Sequence, residues 1–399
     1  MKPHRPLRVL IAADTYPPDV NGAAVFCYRL AQHMSDRGHE VHIAAARPSP
    51  GPDTVEYRQE ATVHRFRSFS APTHEYYRLC LPWQVEPAMN RLVQQLQPDV
   101  VHVQCHYMVG KAAILAAEKH RVRLIATNHF MPENLDPFLP FPQWFKNVVS
   151  RNSWADMGRL MSKASVVTTP TPLAAQTMKD KGGFEHVLPL SNGIDVDFYS
   201  PQPGEELPRH QRPTVLFVGR LAVEKNVDVL IDALARTDPK LGICAEIIGD
   251  GEQRDLLREQ ILDNGLGDRV NMRGHVDEAD LRAAYLAADV FCQPGTAELQ
   301  SLVSLEAMSA AKPMLLADAL ALPHLVTEGE NGYLFEPNNS EDLAEKLNTI
   351  FGRTPKQRQD MGTASRRKAG QHAIDNTMSA YEKLYYGADW VTTGQFKDW

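Results

Sequence analysis

The feature that most constrains the fold is an alternation of short β-type runs with amphipathic helical segments. The chain begins with LRVLIAAD (7–14), which is typical of a buried strand, and a turn-rich loop leads into AAVFCYRLAQHM (23–34), whose apolar residues follow a helical period. A glycine stop and a second strand, HEVHIAAA (39–46), complete a β-α-β unit. Alternation of this kind predicts a parallel sheet with helices on both faces.

The same alternation restarts near residue 200. A segment rich in proline and turn formers, LSNGIDVDFYSPQPGEELPRHQRP (190–213), ends the first series, and TVLFVGRL (214–221) begins the second. A chain of 399 residues is long enough for two full cores. We therefore predict an α/β protein of two doubly wound domains, with a small-molecule ligand in a cleft between the strand ends.

Composition indicates an ordinary enzyme of a reducing compartment. The five cysteines form no CxxC pair, and no apolar run approaches the roughly 20 residues of a membrane-spanning helix. The first residues, MKPHRPLRVLIAA, contain too short an apolar segment for a signal peptide. We expect a cytoplasmic protein.

The formal charge is distributed unevenly along the chain. The whole chain carries −7, but residues 1–195 carry +4 and residues 196–399 carry −11. A more basic N-terminal half is suited to an anionic surface or acceptor, although scattered surface charge explains the same numbers.

Two cations in VGRLAVEKN (218–226) follow a predicted strand and precede a helix. Arg220 and Lys225 at such a position suit a phosphate or diphosphate, which accepts hydrogen bonds from a guanidinium and from free helix N–H groups. In the first domain Gly22 occupies the matching β-α turn, where backbone can approach a ligand closely. The turn lacks the GxGxxG fingerprint, which disfavours a nicotinamide dehydrogenase.

Two carboxylates delimit the stretch ELQSLVSLE (298–306). The preceding ADVFCQPG reads as a buried strand that ends at a Pro-Gly break, so we predict Glu298 in a loop at the carboxyl end of that strand and Glu306 on the next helix. A glycosidase would need its two carboxyl groups close together across the sugar, and this placement does not provide that. The alternative is one solvated loop glutamate and one surface helix glutamate.

The order of these motifs resembles glycosyltransferase family 4, of the GT-B fold. The resemblance rests on the Gly-containing first loop, NHF (128–130), GRLAVEKN, GDG (249–251), RGHV (273–276) and ELQSLVSLEAMSAAKPML (298–315). The two acids match the family's E-x7-E motif, in which the first glutamate contacts the donor sugar and the second binds the nucleotide ribose. The resemblance is weakest at residues 50–80 and 135–160.

The resemblance implies a set of donor contacts. Arg220 and Lys225 would hold the donor diphosphate, Glu298 would bind sugar hydroxyls and Glu306 the ribose. The remaining donor-binding positions would act mainly through backbone, and they are Gly22, Ala23, Gly219, Val276, Ser301, Leu302 and Val303. His129 would lie beside the donor sugar, with its carbonyl or its imidazole near the anomeric centre, and Tyr16 would lie near the acceptor. The family often has Gly-Gly at 22–23 and aromatic-Gly at 300–301, where this chain has Gly-Ala and Gln-Ser.

Transfer in this family retains the anomeric configuration, and the proposed mechanism needs no enzymic nucleophile. The resemblance therefore implies a catalytic group of Arg220, Lys225, Glu298 and His129, with electrostatic and positional roles. We expect no metal, no cofactor and no nucleic-acid partner. The DVD sequence at 195–197 and the cluster His102, Cys105 and His106 are alternatives for metal binding, but the second lacks an evident fourth ligand.

A basic and aromatic segment, NLDPFLPFPQWFKNVVSRNSWADMGRL (134–160), suggests contact with an anionic membrane surface. Its aromatic residues are Phe138, Phe141, Trp144, Phe145 and Trp154, interleaved with Lys146, Arg151 and Arg159. Ordinary core packing of these rings is the alternative. The segment NHFMPENL (128–135) also resembles family members that glycosylate glycolipids, which implies a peripheral enzyme at the inner face of the cell membrane.

These observations predict three regions. Residues 1–198 would form an acceptor-binding Rossmann-like domain, 199–375 a donor-binding Rossmann-like domain, and 376–399 a C-terminal helix and tail that returns to the first domain. The predicted reaction is hexosyl transfer from a nucleotide-diphospho-sugar, GDP-mannose first and a UDP-hexose second, to a lipid-linked acceptor such as glucuronosyl or glucosyl diacylglycerol. A sugar-nucleotide epimerase, a transferase with a soluble acceptor and a non-catalytic sugar-binding module stay open as alternatives.

Overall fold

A computed structural model describes residues 5–19, 21–71, 74–132 and 142–388. The chain divides into two compact units, one of residues 1–191 together with 377–399 and one of residues 192–376. Each unit is built around a largely parallel sheet with helices, as the alternation in the sequence predicts. The acceptor-binding and donor-binding roles given to the two regions stay predictions.

The described part of the first unit contains an eight-stranded sheet in the order β10-β9-β8-β7-β1-β2-β4-β3. Five of the six residues of the central strand β1 are buried, which accounts for its unbroken apolar run. The strands are β1 Arg8–Ala13, β2 Glu40–Ala46, β3 Thr54–Tyr57, β4 Thr62–Phe66, β7 Val100–Val103, β8 Arg123–Thr127, β9 Val166–Thr169 and β10 Leu188–Pro189, with β5 Phe69–Ala71 and β6 His74–Leu79 in a separate two-stranded sheet. The helices are α1 Gly22–Asp36, α2 Pro82–Leu96, α3 Met108–His120, α4 Gln143–Met161 and α5 Pro172–Gly182.

The second unit contains a six-stranded sheet in the order β13-β12-β11-β14-β15-β16. All of its strand pairs are parallel, and its core is dominated by aliphatic residues from both the sheet and the helices. The strands are β11 Thr214–Val218, β12 Cys244–Ile248, β13 Val270–Gly274, β14 Val290–Gln293, β15 Met314–Ala317 and β16 Gly332–Phe335. The helices are α6 Val196–Tyr199, α7 Val227–Arg236, α8 Arg254–Asp263, α9 Glu278–Ala287, α10 Leu302–Ser309, α11 Ser340–Phe351 and α12 Pro355–Ala369.

The last helix, α13 (Ile374–Tyr385), belongs to the first unit from Thr377 onward. Tyr385 is hydrogen-bonded through its hydroxyl to His102 Nδ1 on β7 at 2.7 Å, and His102 Nε2 is 2.6 Å from Thr127 Oγ1 on β8. The hydroxyl of Tyr381 lies 3.2 Å from the same Thr127 oxygen. Burial lowers the pKa of His102 to about 3, so the imidazole is neutral near pH 7. A buried polar network therefore attaches the C-terminal helix to the first sheet.

Several local features follow from the residues at their positions. Asn339 caps α11, because its side-chain oxygen accepts hydrogen bonds from the amides of Glu341 and Asp342. Glu298 lies in the loop after β14 and Glu306 on α10, as predicted. All five cysteines are free thiols, and three of them are buried. Within the part of the chain that the structure describes, no helix is both long and apolar enough to cross a membrane.

Candidate active site

Each sheet has a topological switch point where ligands usually bind. In the second unit the chain proceeds from β11 to β12 and β13 on one side, and β14 to β16 lie on the other. In the first unit β2 and β7 flank β1 in the same way. In open α/β sheets the crevice at the carboxyl ends of such strands is the usual ligand site. The predicted site residues follow β11, β13 and β14 in one unit and β1 and β8 in the other.

The loop that carries Arg220 is fixed by its neighbours in the second unit. The amide of Leu221 donates to the carbonyl of Asp250 at 2.9 Å, and the carbonyl of Leu221 accepts from the amide of Gln253 at 2.9 Å. A Cβ atom on Gly249, which has φ of +135°, would lie 1.8 Å from the carbonyl oxygen of Gly219. Glycine at 249 is therefore required for the two loops to pack this closely.

Both predicted phosphate-binding cations are paired with carboxylates of the same unit. Arg220 Nη2 lies 2.5 Å from Glu224 Oε1, and the Arg220 side chain is 44% exposed. Lys225 Nζ forms an ion pair with Glu298 Oε1, and both of these side chains are mostly buried. The structure thus brings Lys225 and Glu298 together, while Arg220 is held separately by a glutamate that sequence reasoning did not identify.

Backbone contacts join the loop after β14 to the loops after β11 and β15. The amide of Thr296 donates to the carbonyl of Glu224 at 3.1 Å, and the amide of Ala321 donates to the carbonyl of Glu298 at 3.2 Å. The side chain of Gln300 accepts a hydrogen bond from the amide of Asn192 at 2.8 Å. Gln300, one of the departures from the family pattern, therefore anchors the loop that carries Glu298.

Helix α10 begins with a polar cap. The hydroxyl of Ser301 accepts from the amide of Ser304 at 3.3 Å, as an N-cap does. The amides of Leu302 and Val303 belong to the first turn of the helix, where N–H groups have no acceptor within the helix and suit an anion. This geometry is compatible with the predicted backbone contacts to the donor.

Glu306 is buried, with 7% of its surface exposed. The hydroxyl of Tyr285 on α9 donates to Glu306 Oε2 at 2.9 Å, and burial together with this carboxylate holds the pKa of Tyr285 well above its usual range. The alternative of a surface helix glutamate is therefore wrong. Val276, just before the N-cap of α9, is partly buried against the core, and its predicted main-chain contact with the base stays a prediction.

The β1–α1 loop of the first unit packs against arginines of the β3–β4 hairpin. Tyr16 is fully buried, and its hydroxyl donates to Glu60 Oε1 at 2.8 Å. Arg58 and Arg65 lie over its ring at 5.7 and 5.5 Å. Since its side chain is enclosed in this way, Tyr16 shapes the loop, and a direct contact with an acceptor stays a prediction.

Gly22 and Ala23 begin helix α1. Asn21 caps this helix by accepting a hydrogen bond from the amide of Ala24 at 2.9 Å, while Gly22 is exposed and Ala23 is partly buried. No described protein atom lies within 4 Å of where a Cβ on Gly22 would be. Packing inside the described part of the chain therefore does not demand glycine here, which leaves room for the predicted close approach of a ligand.

His129 follows β8 and is held by two side chains. Its Nε2 lies 2.8 Å from Gln104 Oε1, and its ring centre is 4.8 Å from that of Phe26 on α1. Burial lowers the pKa of His129 to about 4. The imidazole is therefore neutral near pH 7. Gln104 follows strand β7 directly, but its contact with His129 after β8 was not identified from the sequence.

Several of the alternative metal ligands have other partners. His106 does not, because neither of its buried ring nitrogens has a hydrogen-bond partner among the described residues. Both ring nitrogens of His102 are hydrogen-bonded, the Cys105 thiol lies 2.5 Å from Asp14 Oδ2, and Asp195 caps α6 by accepting from the amide of Phe198. Over the described ranges, no three His, Cys, Asp or Glu side chains are grouped so that they could share a metal ion.

The basic and aromatic segment divides between two faces of α4. Trp154 is buried, with Lys181 over its ring at 5.8 Å, whereas Trp144 is 67% exposed. Exposed positions 144, 148, 151, 155 and 159 recur at helical spacing and form one outer stripe. Phe138 and Phe141 lie outside the described residues. Core packing therefore explains Trp154, and the outer stripe stays available for a surface.

Comparison with known proteins identifies both halves of the chain. Residues 20–198 match the family Glycosyltransferase Family 4, and residues 201–368 match Glycosyl transferases group 1. A GDP-mannose-dependent alpha-mannosyltransferase of Mycolicibacterium smegmatis is 29% identical over 84% of this chain and 86% of its own length. The Alpha-monoglucosyldiacylglycerol synthase of Acholeplasma laidlawii is 23% identical over 86% of this chain and 87% of its own.

Solved structures agree on the fold. A sucrose-phosphate synthase from Thermosynechococcus elongatus has a TM-score of 0.75 at 18% identity and covers 96% of this chain and 98% of its own. The two family matches together span most of the chain, and both describe enzymes that transfer sugars. The chain is therefore a glycosyltransferase of the GT-B fold, with a family 4 domain followed by a group 1 domain.

Proposed function

We propose that this glycosyltransferase transfers a hexose, with retention of configuration, from a nucleotide-diphospho-sugar to a lipid-linked acceptor. The observation that supports it most directly is the Lys225–Glu298 pair after β11 and β14, which places a cation and a carboxylate together at a switch point. The cation suits the negative charge of a diphosphate, and the carboxylate oxygens can accept hydrogen bonds from the hydroxyl groups of a sugar. The two family matches favour this reading over an epimerase or a binding module.

The proposed donor is GDP-mannose, with a UDP-hexose second. The Mycolicibacterium smegmatis relative is named for GDP-mannose, and it is similar to this chain over most of its length. Arg220 and Lys225 bind the diphosphate, Glu298 binds the hexose and Glu306 the ribose. Before the donor binds, Glu224 and Glu298 neutralise the two cations, so the diphosphate replaces these carboxylates.

The chemical step needs no protein nucleophile. The acceptor hydroxyl attacks the face of the sugar from which the diphosphate leaves, the new C–O bond replaces the C–O bond to phosphate, and a leaving phosphate oxygen takes the proton. Arg220, Lys225 and the first amides of α10 stabilise the charge that develops on the leaving group. His129 is neutral, so it contributes hydrogen bonding and position rather than charge.

The outer stripe of α4 supports a lipid-linked acceptor. Trp144 and Val148 are exposed apolar residues in the first two turns, and Arg151 and Arg159 follow on the same face. An indole at the interface with nearby cations is typical of a surface that binds anionic bilayers. The Acholeplasma laidlawii relative is named for a diacylglycerol product. We propose a peripheral enzyme at the inner membrane face, acting on glucosyl or glucuronosyl diacylglycerol.

The test is a matrix of donors and acceptors. Purified protein is incubated with labelled GDP-mannose, UDP-glucose or UDP-galactose, and with either diacylglycerol glycolipids in vesicles or soluble sugars, and products are identified by mass spectrometry. A mannosylated glycolipid is the expected product. Label in a water-soluble product alone would contradict the lipid acceptor, and interconverted nucleotide sugar without acceptor would contradict transfer.

A further inference from the structure

We infer that Gln104 is a positioning residue, which holds the proton of His129 on Nε2 and leaves Nδ1 as the hydrogen-bond acceptor toward the donor sugar. The inference rests on the proposed function, in which His129 lies beside that sugar. It concerns a residue for which the family resemblance implies no role.

The backbone around both residues is fixed by the sheet. The amide of Gln104 donates to the carbonyl of Ala12 at 2.9 Å, which extends the pairing of β7 with β1. The amide of Asn128 donates to the carbonyl of Thr168 at 2.9 Å, and the carbonyl of Asn128 accepts from the hydroxyl of Thr169 at 3.1 Å. Adjustment of the His129 ring is therefore left to its own side-chain torsions and to the Gln104 side chain.

The contact fixes the tautomer of the ring. Gln104 is oriented with Oε1 toward His129 Nε2, at 2.8 Å. A carboxamide oxygen can only accept a hydrogen bond, so this orientation requires the proton on Nε2. In a neutral imidazole the other nitrogen, Nδ1, then carries the lone pair. Nδ1 can accept from a sugar hydroxyl, and the Phe26 ring at 4.8 Å restricts rotation of the imidazole away from this orientation.

The other end of the Gln104 amide has no hydrogen-bond partner in the part of the chain that the structure describes. Its Nε2 is buried and makes no hydrogen bond among the described residues. A buried N–H group without a partner destabilises a fold, so this glutamine is not explained by stability alone. Methionine has a similar length and no unpaired N–H group. Gln104→Met removes this unpaired N–H group but also takes the acceptor from His129 Nε2–H. These two effects oppose each other, so we expect little net change in stability while His129 is released.

The experiment is a double-mutant cycle on turnover. Gln104→Met should lower kcat about tenfold, the effect of one neutral hydrogen bond, and leave the donor KM within about twofold. In a His129→Ala background it should change nothing further, because Gln104 acts through His129. Gln84→Met on α2, another glutamine with a buried unpaired amide atom, is the matched control and should retain full kcat.

Two outcomes would overturn the inference in this cycle. Equal losses from Gln104→Met with and without the imidazole would mean that Gln104 touches the substrate itself. An unchanged kcat in Gln104→Met, with thermal unfolding also unchanged, would mean that the hydrogen bond does not matter for turnover.

A second measurement does not depend on the proposed function. In protein labelled with ¹⁵N-histidine, the His129 signal, assigned with His129→Ala, should show the proton on Nε2 near pH 7. Gln104→Met should shift that signal toward a mixture of tautomers. A wild-type signal with the proton on Nδ1 would overturn the inference. Absence of any glycosyl product together with the expected spectrum would instead contradict the proposed function.

Discussion

Lys225 and Glu298, 73 positions apart in the sequence, form an ion pair between the loops that follow the adjacent strands β11 and β14. Their side chains are only 21% and 12% exposed. Such a pair holds both side chains in fixed positions. Under the proposed function, a donor diphosphate would compete with Glu298 for Lys225 and free the carboxylate for the sugar.

The first prediction concerns the two side-chain cations that are proposed to bind the donor diphosphate. Arg220→Ala and Lys225→Ala should each lower kcat/KM for the donor by about 30-fold or more, because each removes a charge-assisted contact of about 2 kcal/mol. Steady-state kinetics at saturating acceptor measure this. Arg258→Ala on α8, where the arginine is exposed and 3.9 Å from its partner Asp255, is the control and should behave as wild type. Normal donor saturation in both site variants would contradict the assignment.

The second prediction concerns the chemistry of transfer. If a leaving phosphate oxygen takes the acceptor proton, turnover should persist in excess chelator and the new linkage should keep the α configuration of the donor. Proton NMR of the anomeric coupling in the product reports the configuration. A β product, or activity that chelator removes and added metal restores, would exclude this mechanism.

The third prediction concerns the outer stripe of α4. Sedimentation with anionic vesicles should decrease with salt, and Arg151→Glu should weaken it more than fivefold, because each well-placed cation contributes about 1 kcal/mol. Trp144→Ser should also weaken vesicle binding, because the indole would no longer bury apolar surface in the membrane interface.

A matched control exists for the vesicle measurement. Trp83 on α2 is 70% exposed, close to the 67% of Trp144, so Trp83→Ser removes an equally exposed indole outside the stripe. It should leave vesicle binding unchanged. Equal effects of the two tryptophan substitutions would argue against a specific membrane-binding face on α4.

The fourth prediction links His102 to stability. Its pKa is about 3 in the folded protein and 6.5 in the unfolded chain, so between these values the unfolded state binds more protons. The free energy of unfolding should therefore fall as pH decreases from about 6.5 toward 3. His102→Gln removes at most one proton from the difference in proton binding between the unfolded and folded states. The slope should therefore decrease by up to about 1.4 kcal/mol per pH unit.

Urea unfolding at pH 7 and pH 5 measures that slope. Other histidines, such as the half-buried His64 and the buried His106, have pKa values lowered to about 4 and contribute equally in both proteins. The difference between the proteins therefore isolates His102. Identical slopes would contradict the prediction.

Much of the fold was predictable because buried parallel strands read as continuous apolar runs. TVLFV and VFCQ are buried throughout in β11 and β14. Strands β3 and β4 were missed because they are short and carry Glu56 and Arg65, whose ion pair depends on a cross-strand contact that no sequence period reveals. The helical position of Glu306 was predictable, but its burial was not, since that depends on Tyr285 of a different helix.

For the candidate site, the sequence located residues at strand ends but not their partners. Arg220 was predicted from its place after β11, whereas its Glu224 partner appears only when the short turn Val223–Lys225 folds. Gln104 was missed for the same reason, because its relation to His129 arises from the pairing of β7 with β8. Contacts between adjacent parallel strands are remote in sequence, so spacing alone does not encode them.

The attachment of helix α13 to the first sheet has a consequence for synthesis on the ribosome. Tyr381 and Tyr385 complete hydrogen bonds with β7, β8 and β9, yet the whole of residues 192–376 is translated between those strands and this helix. At about 5 to 20 residues per second, the nascent first unit waits on the order of ten seconds or more for its last element. During that interval the His102, Thr127 and Thr168 side chains lack their tyrosine partners, so the N-terminal part of the chain emerges first but finishes folding last.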